Sequence, residues 1–163
     1  MKKIFIDIEN TLIDSLFSRN WMPENIERIK RFLKINEKDT LTVNIFTWGW
    51  KTTKDIEPEL VTMLFDKLEV PASNRGNVII KENSVDLAIE KGWLKPEDRE
   101  EAICPGMMNE YGLSKVMMFL KMCEKFIPGT TSILIDDLVD EHNEEIVGAN
   151  VKVILHNPKV LCL

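Results

Sequence analysis

Apolar and polar positions alternate along this chain with two periods in turn. Residues 3–8 (KIFIDI) are β-branched and aromatic and run into acids, the pattern of a short buried strand. Pro23 suits a first helical turn, and Ile26, Ile29, Phe32 and Leu33 recur behind it at helical spacing. Residues 42–47 (TVNIFT) predict a second strand. A second helix follows, capped near Asp55, with Leu60, Val61, Leu64, Phe65 and Leu68 as its stripe and Pro71 as its stop. Residues 77–81 (NVIIK) predict a third, shorter strand.

Residues 82–112 break this rhythm. Ser84 caps a short helix ended by Gly92, Pro96 starts another helical piece, and Pro105-Gly106 breaks it. The segment reads as a small elaboration on the fold. Residues 113–126 predict a helix that buries Val116, Met117, Phe119, Leu120 and Cys123. A fourth strand at 132–135 (SILI), a polar helix around 141–147 and a fifth strand at 151–155 (VKVIL) complete the pattern.

Strands alternating with helices, the strands almost continuously apolar, imply an α/β fold. We expect a Rossmann-like parallel sheet with helices on both faces, a three-layer α/β/α domain spanning 1–163. Right-handed crossovers are expected, with ligands beyond the carboxyl ends of the strands.

Composition narrows the class. The chain has 163 residues, 44% hydrophobic and 29% charged, which excludes wholesale disorder, collagen-like repeats and a disulfide scaffold. With 21 basic and 27 acidic residues the net charge is −6, which disfavours a broad grip on long nucleic acid but not on a mononucleotide or a cation. Cys104, Cys123 and Cys162 are widely spaced and odd in number, which fits buried thiols in a reduced, cytoplasmic setting. His142 and His156 are too few for a zinc site of Cys and His ligands. Asp7 and Glu9 interrupt the only apolar stretch near the N-terminus, and no apolar run suits a membrane span.

The strand ends carry the candidate chemistry. The first strand delivers Asp7, with Glu9 two residues on; the second delivers Thr47; the fourth delivers Asp136 and Asp137. Any one of these could simply mark where a strand stops. Carboxylates paired at two ends of one rim repel each other and call for a positive charge. A hard cation such as Mg²⁺ takes oxygen ligands and a phosphate together. Lys115 opens the helix before the fourth strand, where a cation opposes the helix dipole. Alone it is an ordinary surface lysine; beside an acidic rim it is a partner for Asp7 or for a phosphate.

FIDIENTL at 5–12, NIFT at 44–47, Lys115 and ILIDD at 133–137 resemble, in order and strand placement, the four motifs of the haloacid dehalogenase-like (HAD-like) hydrolases. The resemblance spans residues 4 to 155. It implies Asp7 as nucleophile, Glu9 as general acid and base, Thr47 as a hydrogen-bond donor to a phosphoryl oxygen, and Lys115 as its electrostatic partner. It also implies Mg²⁺ held by Asp7, the backbone carbonyl of Glu9, and Asp136 with Asp137. Response-regulator receiver domains use similar residues in a different order.

One departure divides the expectation. The family has Asp as its second acid, whereas Glu9 is one methylene longer, and a misplaced proton donor costs about 100-fold. The resemblance therefore implies either a phosphomonoester hydrolase or a HAD-like binding or regulatory protein with weak or no turnover. Asn10 replaces a frequent Gly, a mild change because Asn tolerates left-handed backbone angles. Residues 12–42 and 82–112 are too short for a large cap, so the resemblance implies an open site. Trp48 and Trp50, with Lys51, could stack on the base of a nucleotide or a nucleic-acid end; the alternative is that one indole packs on a neighbouring helix. Asp140 or Glu141 could orient metal-bound waters or lie on a solvated helix face. The methionines at 107, 108, 117, 118 and 122 suit an irregular core.

Overall fold

The computed structural model describes residues 1–140 and 142–161; the candidate acid Glu141 and the thiol of Cys162 lie outside the described residues. In chain order the elements are β1 (Lys2–Ile6), α1 (Pro23–Asn36), β2 (Leu41–Phe46), α2 (Pro58–Lys67) and β3 (Arg75–Ile79). Then come α3 (Lys81–Glu90), α4 (Arg99–Ile103), α5 (Met107–Glu110) and α6 (Lys115–Cys123). The chain closes with β4 (Thr131–Ile135), β5 (Asn143–Val147) and β6 (Val151–His156).

The six strands form one sheet in the order β3-β2-β1-β4-β6-β5. All neighbouring pairs are parallel except β5 with β6. The segment 141–147, expected as a polar helix, is corrected: its described part contains an antiparallel edge strand. β5 (NEEIV) is almost wholly exposed, so no buried face imprints alternation on its sequence. Gly148-Ala149-Asn150 turns it onto β6, with Gly148 and Asn150 at φ 53° and 58°.

Side-chain alternation on the inner strands feeds two cores. Ile4 and Ile6, Val43 and Ile45, and Ile133 and Ile135 face one way and pack with Ile26 and Ile29 of α1 and Leu60 and Leu64 of α2. Phe5, Phe46 and Leu134 face the other way and pack with Phe119 and Cys123 of α6. Residues 85–118 form a third cluster, in which α3, α4 and α5 lean on Met118 of α6. The result is helix, sheet, helix in three layers. Met108 and Met118 are fully buried there. Among the described residues no helix is long and apolar enough to cross a membrane.

The register positions the site. Ile6 pairs with both Ile45 and Ile135, so the strands after them end level. Chain order reverses between β1 and β4: β1 leads outward to β2 and β3, and β4 returns to its other side. Such a switch point opens a crevice beyond the carboxyl ends of the two strands.

Candidate active site

Asp7 follows β1 directly, and its N–H donates to the Ile135 carbonyl at 3.0 Å; Asp136 follows β4, and its N–H donates to the His156 carbonyl at 3.0 Å. The two acids are thus neighbours across the switch point. After Asp7 the chain turns tightly, the Ile8 carbonyl accepting from Thr11, Leu12 and Ile13. Asn10 occupies the left-handed step of that turn, at φ 59°. The turn brings the Thr11 hydroxyl back to donate to Asp7 Oδ2 at 3.2 Å.

Lys115 reaches the same point from the opposite layer. Ser114 caps α6 by accepting from the Met117 N–H at 3.2 Å, so Lys115 is the first helical residue. Side chains on a helix lean toward its N-terminus, which here aims Lys115 into the crevice. Its Nζ lies 2.6 Å from Asp7 Oδ1 and 2.6 Å from Asp136 Oδ2, with the Phe46 ring 5.5 Å away. Asp136 Oδ1 accepts from the Leu138 N–H at 2.9 Å, whereas its buried Oδ2 receives no aligned hydrogen bond despite the lysine beside it. Asp7, Asp136 and Asp137 present carboxylate oxygens all within 4.8 Å of one another.

The charges are strongly coupled. Burial, opposed by the Lys115 ammonium and reinforced by Asp136 and Asp137, pushes the Asp7 carboxyl up to about 7. Burial and then Asp136 also raise Asp137. Burial works against the Lys115 charge, but Asp7 and Asp136 outweigh it and hold its pKa above the ordinary lysine value. A single ammonium thus faces three acids in a low-dielectric crevice.

The other candidates sit around this centre. Thr47 follows β2, is buried, and accepts from the Gly49 N–H at 3.1 Å, which leaves its hydroxyl proton to give. The Glu9 carboxylate is not in the acid cluster. It accepts from the Leu16 N–H at 3.1 Å, in the loop that follows β1. Trp50 is corrected: it is 3% exposed and packs in the α1–α2 core, so it offers no face for stacking. Trp48 is half-buried, its indole N–H donating to Ser84 Oγ at 3.0 Å. Asp140 is exposed and outside the acid cluster. Cys104 is exposed and Cys123 buried, so the expectation of buried thiols holds for Cys123 alone among the described cysteines.

Sequence reasoning gives three further residues at this rim no role: Thr11 lies inside FIDIENTL at 5–12, whereas Lys81 and Phe17 lie outside every motif. Thr11 has at most a simple signature, a hydroxyl four residues past the strand-end acid. Lys81, at the start of α3, is buried and donates to the Cys104 carbonyl at 2.6 Å, with Trp48 beside it. Phe17 lies in the loop that holds Glu9 and is 98% exposed. Compared with protein-family models, with curated proteins and with solved structures, the chain matches none of them.

Proposed function

We propose that this protein is a Mg²⁺-dependent phosphomonoester hydrolase of the HAD-like class, working through an aspartyl-phosphate on Asp7. The observation that carries the reading is the convergence of Asp7, Asp136 and Lys115 at one buried point between β1 and β4. The donor set suits the ion: three carboxylates whose oxygens lie within 4.8 Å of one another, with no competing sulfur or imidazole in the cluster and a single ammonium to balance them. Asp7, Asp136 and Asp137 would hold Mg²⁺, which when bound neutralises charge on the phosphoryl group.

The chain's own residues then have distinct tasks. Lys115 opposes the penalty that burial sets on the Asp7 carboxylate, and the Thr11 hydroxyl fixes the orientation of that carboxylate. A carboxylate oxygen of Asp7 forms the new bond to phosphorus as the bond to the leaving oxygen breaks. Thr47 donates its free proton to a phosphoryl oxygen, and Lys115 stabilises charge on the same group. Glu9 turns from the Leu16 amide to protonate the leaving oxygen, then takes a proton from the water that cleaves the aspartyl-phosphate. Between β1 and β2 the chain has one helix, α1, and an ordered loop, too little for a large cap, which suits a nucleotide or a nucleic-acid end as substrate.

The placement of Glu9 favours one second reading, a HAD-like binding or regulatory protein without turnover. Its carboxylate is engaged by Leu16 and stands apart from the three clustered acids. Turnover decides between the two. Purified protein should release phosphate from a panel of esters with Mg²⁺, stop when the metal is chelated, and lose activity on Asp7→Asn. Mg²⁺ binding without release across the panel would leave the second reading standing, and activity gained on Glu9→Asp would trace the defect to side-chain length.

A further inference from the structure

Phe17 is the most exposed of the large apolar side chains among the described residues, at 98%. Single exposed apolar residues are ordinary on protein surfaces, so what matters here is how this one is mounted. This loop is tied down. Asp14 Oδ1 accepts from the Ser15 N–H at 2.7 Å, the Ser18 hydroxyl at 2.7 Å and the Asn20 N–H at 2.9 Å, and Oδ2 accepts from Asn20 Nδ2 at 2.8 Å. Those bonds, led by Ser18 and Asn20, hold the Asp14 carboxyl down at about 2. Arg19 donates to the Leu16 carbonyl at 2.8 Å and pairs with Glu57, just ahead of α2, at 2.6 Å. An antiparallel bridge between Ile13 and Trp21 closes the base. The chain has built a firm mount for a side chain that touches almost nothing.

The mount stands beside the chemistry. Leu16, next to Phe17, donates its N–H to Glu9, and a Cβ built on Gly49 would fall 2.6 Å from the Leu16 side chain. Glu9 and the Thr47–Gly49 turn therefore lie against the residue preceding Phe17. Glu9 is the group assigned above to the leaving oxygen, so the loop that carries Phe17 lies on the leaving-group side of the crevice. On the far lip, after Asp137, Leu138 is 62% exposed. A charged cup is thus flanked by apolar groups on the loops after two adjacent strands.

We infer that Phe17 is a specificity-determining residue, a platform on which a planar unsaturated ring in the leaving group of the phosphoester stacks. The inference rests on the hydrolase reading and adds to it the class of leaving group. Two ring sources share this chemistry: an aryl group esterified directly, and a nucleobase one sugar away.

Steady-state kinetics with Mg²⁺ on 4-nitrophenyl phosphate, adenosine 5′-monophosphate and ringless glycerol 3-phosphate separates them. Phe17→Ala should lower kcat/KM for a ring-bearing ester relative to glycerol 3-phosphate by about tenfold, mainly through KM, and Phe17→Tyr should restore the ratio. The ester showing the larger change identifies the ring source. Equal losses on all three esters, or no change, would overturn the inference while leaving the hydrolase reading intact. Calorimetric binding of adenosine 5′-monophosphate and of phenyl phosphate in the Asp7→Asn background needs no turnover. Binding that weakens on Phe17→Ala in a protein that hydrolyses nothing would retain the platform and discard the hydrolase; binding of neither ligand would discard both.

Discussion

Lys115 and Asp7 stand 108 positions apart in the chain and share a buried 2.6 Å ion pair. The same ammonium lies 2.6 Å from Asp136, so one cation balances acids delivered by two strands. Taking a partner from a buried pair costs about 3–5 kcal/mol, because the charge left behind stays out of water. Lys115→Met should therefore lower the melting temperature by roughly 10 °C at neutral pH without metal. Added Mg²⁺ should raise the melting temperature of both proteins, and more in the variant, where nothing else offsets the acids. Scanning fluorimetry in chelator and in Mg²⁺ measures both shifts. A variant as stable as the parent, or one indifferent to Mg²⁺, would contradict the electrostatic account of the crevice.

The raised Asp7 pKa has a definite consequence for stability. A carboxyl whose folded pKa sits at about 7, above its ordinary 3.8, contributes stability that is fully present below pH 3.8 and is lost as pH rises through 7. Asp7→Asn removes that dependence. In chelator, the variant should gain on the parent by on the order of 1 kcal/mol between pH 5 and pH 8, and abolish turnover throughout. Taking the difference cancels His156, whose pKa is pushed down to about 4 by burial and His142 and which withdraws stability from both proteins as pH falls below 6.5. Denaturant unfolding at several pH values gives the curve. A difference that stays flat or shrinks toward alkaline pH would show that Asp7 is not held against its ionisation.

The inner sheet and the acids at its ends could be read from the chain because burial on two faces leaves almost continuous apolar runs, and Asp7 and Asp136 interrupt those runs abruptly. β5 could not, since an edge strand facing water needs no apolar face; only the Gly148–Asn150 turn marked it. Trp50 misled for a related reason. An indole beside a strand-end threonine looks the same in sequence whether it faces solvent or the α1–α2 core. The Glu9 carboxylate escaped because two-residue periodicity ends with β1 at Ile6, and the turn around Ile8 re-aims the side chains beyond it. Phe17 escaped because its exposure depends on hydrogen bonds to Asp14, which local composition does not reveal.

The two described thiols should differ sharply. Burial pushes the Cys123 thiol up to about 12 and removes it from solvent, whereas Cys104 is exposed. Thiolate is the reactive form, so a brief pulse of iodoacetamide at pH 8 should label Cys104 and spare Cys123 until the protein unfolds. Peptide mass spectrometry reads the two sites separately. Rapid native labelling of Cys123 would mean that α6 parts from the sheet far more readily than its packing implies.

Gly49 offers the sharpest test of how Glu9 is held. A Cβ at this position would fall 2.5 Å from Glu9 Oε1 and 2.6 Å from Leu16 Cδ1, too close for either to stay in place. The Glu9 carboxylate is the far end of a flexible side chain and can move aside, so the fold should tolerate Gly49→Ala with a loss of about 1–2 kcal/mol. Proton transfer should not be as tolerant. Displacing Glu9 and the Leu16 loop together by a few tenths of an ångström or more misaligns the acid with the leaving oxygen, and kcat should fall about 100-fold. On the proposed mechanism KM for a ringless ester should change far less than kcat, because Lys115, the proposed partner of the phosphoryl group, reaches the crevice from α6 and touches neither Gly49 nor Glu9. An ester with a leaving group acidic enough to depart unprotonated should recover most of the lost rate in the first, Asp7-phosphorylating step. If Gly49→Ala instead lowers that step equally for good and poor leaving groups, Glu9 is not the proton donor, and the acid must be sought elsewhere at the rim.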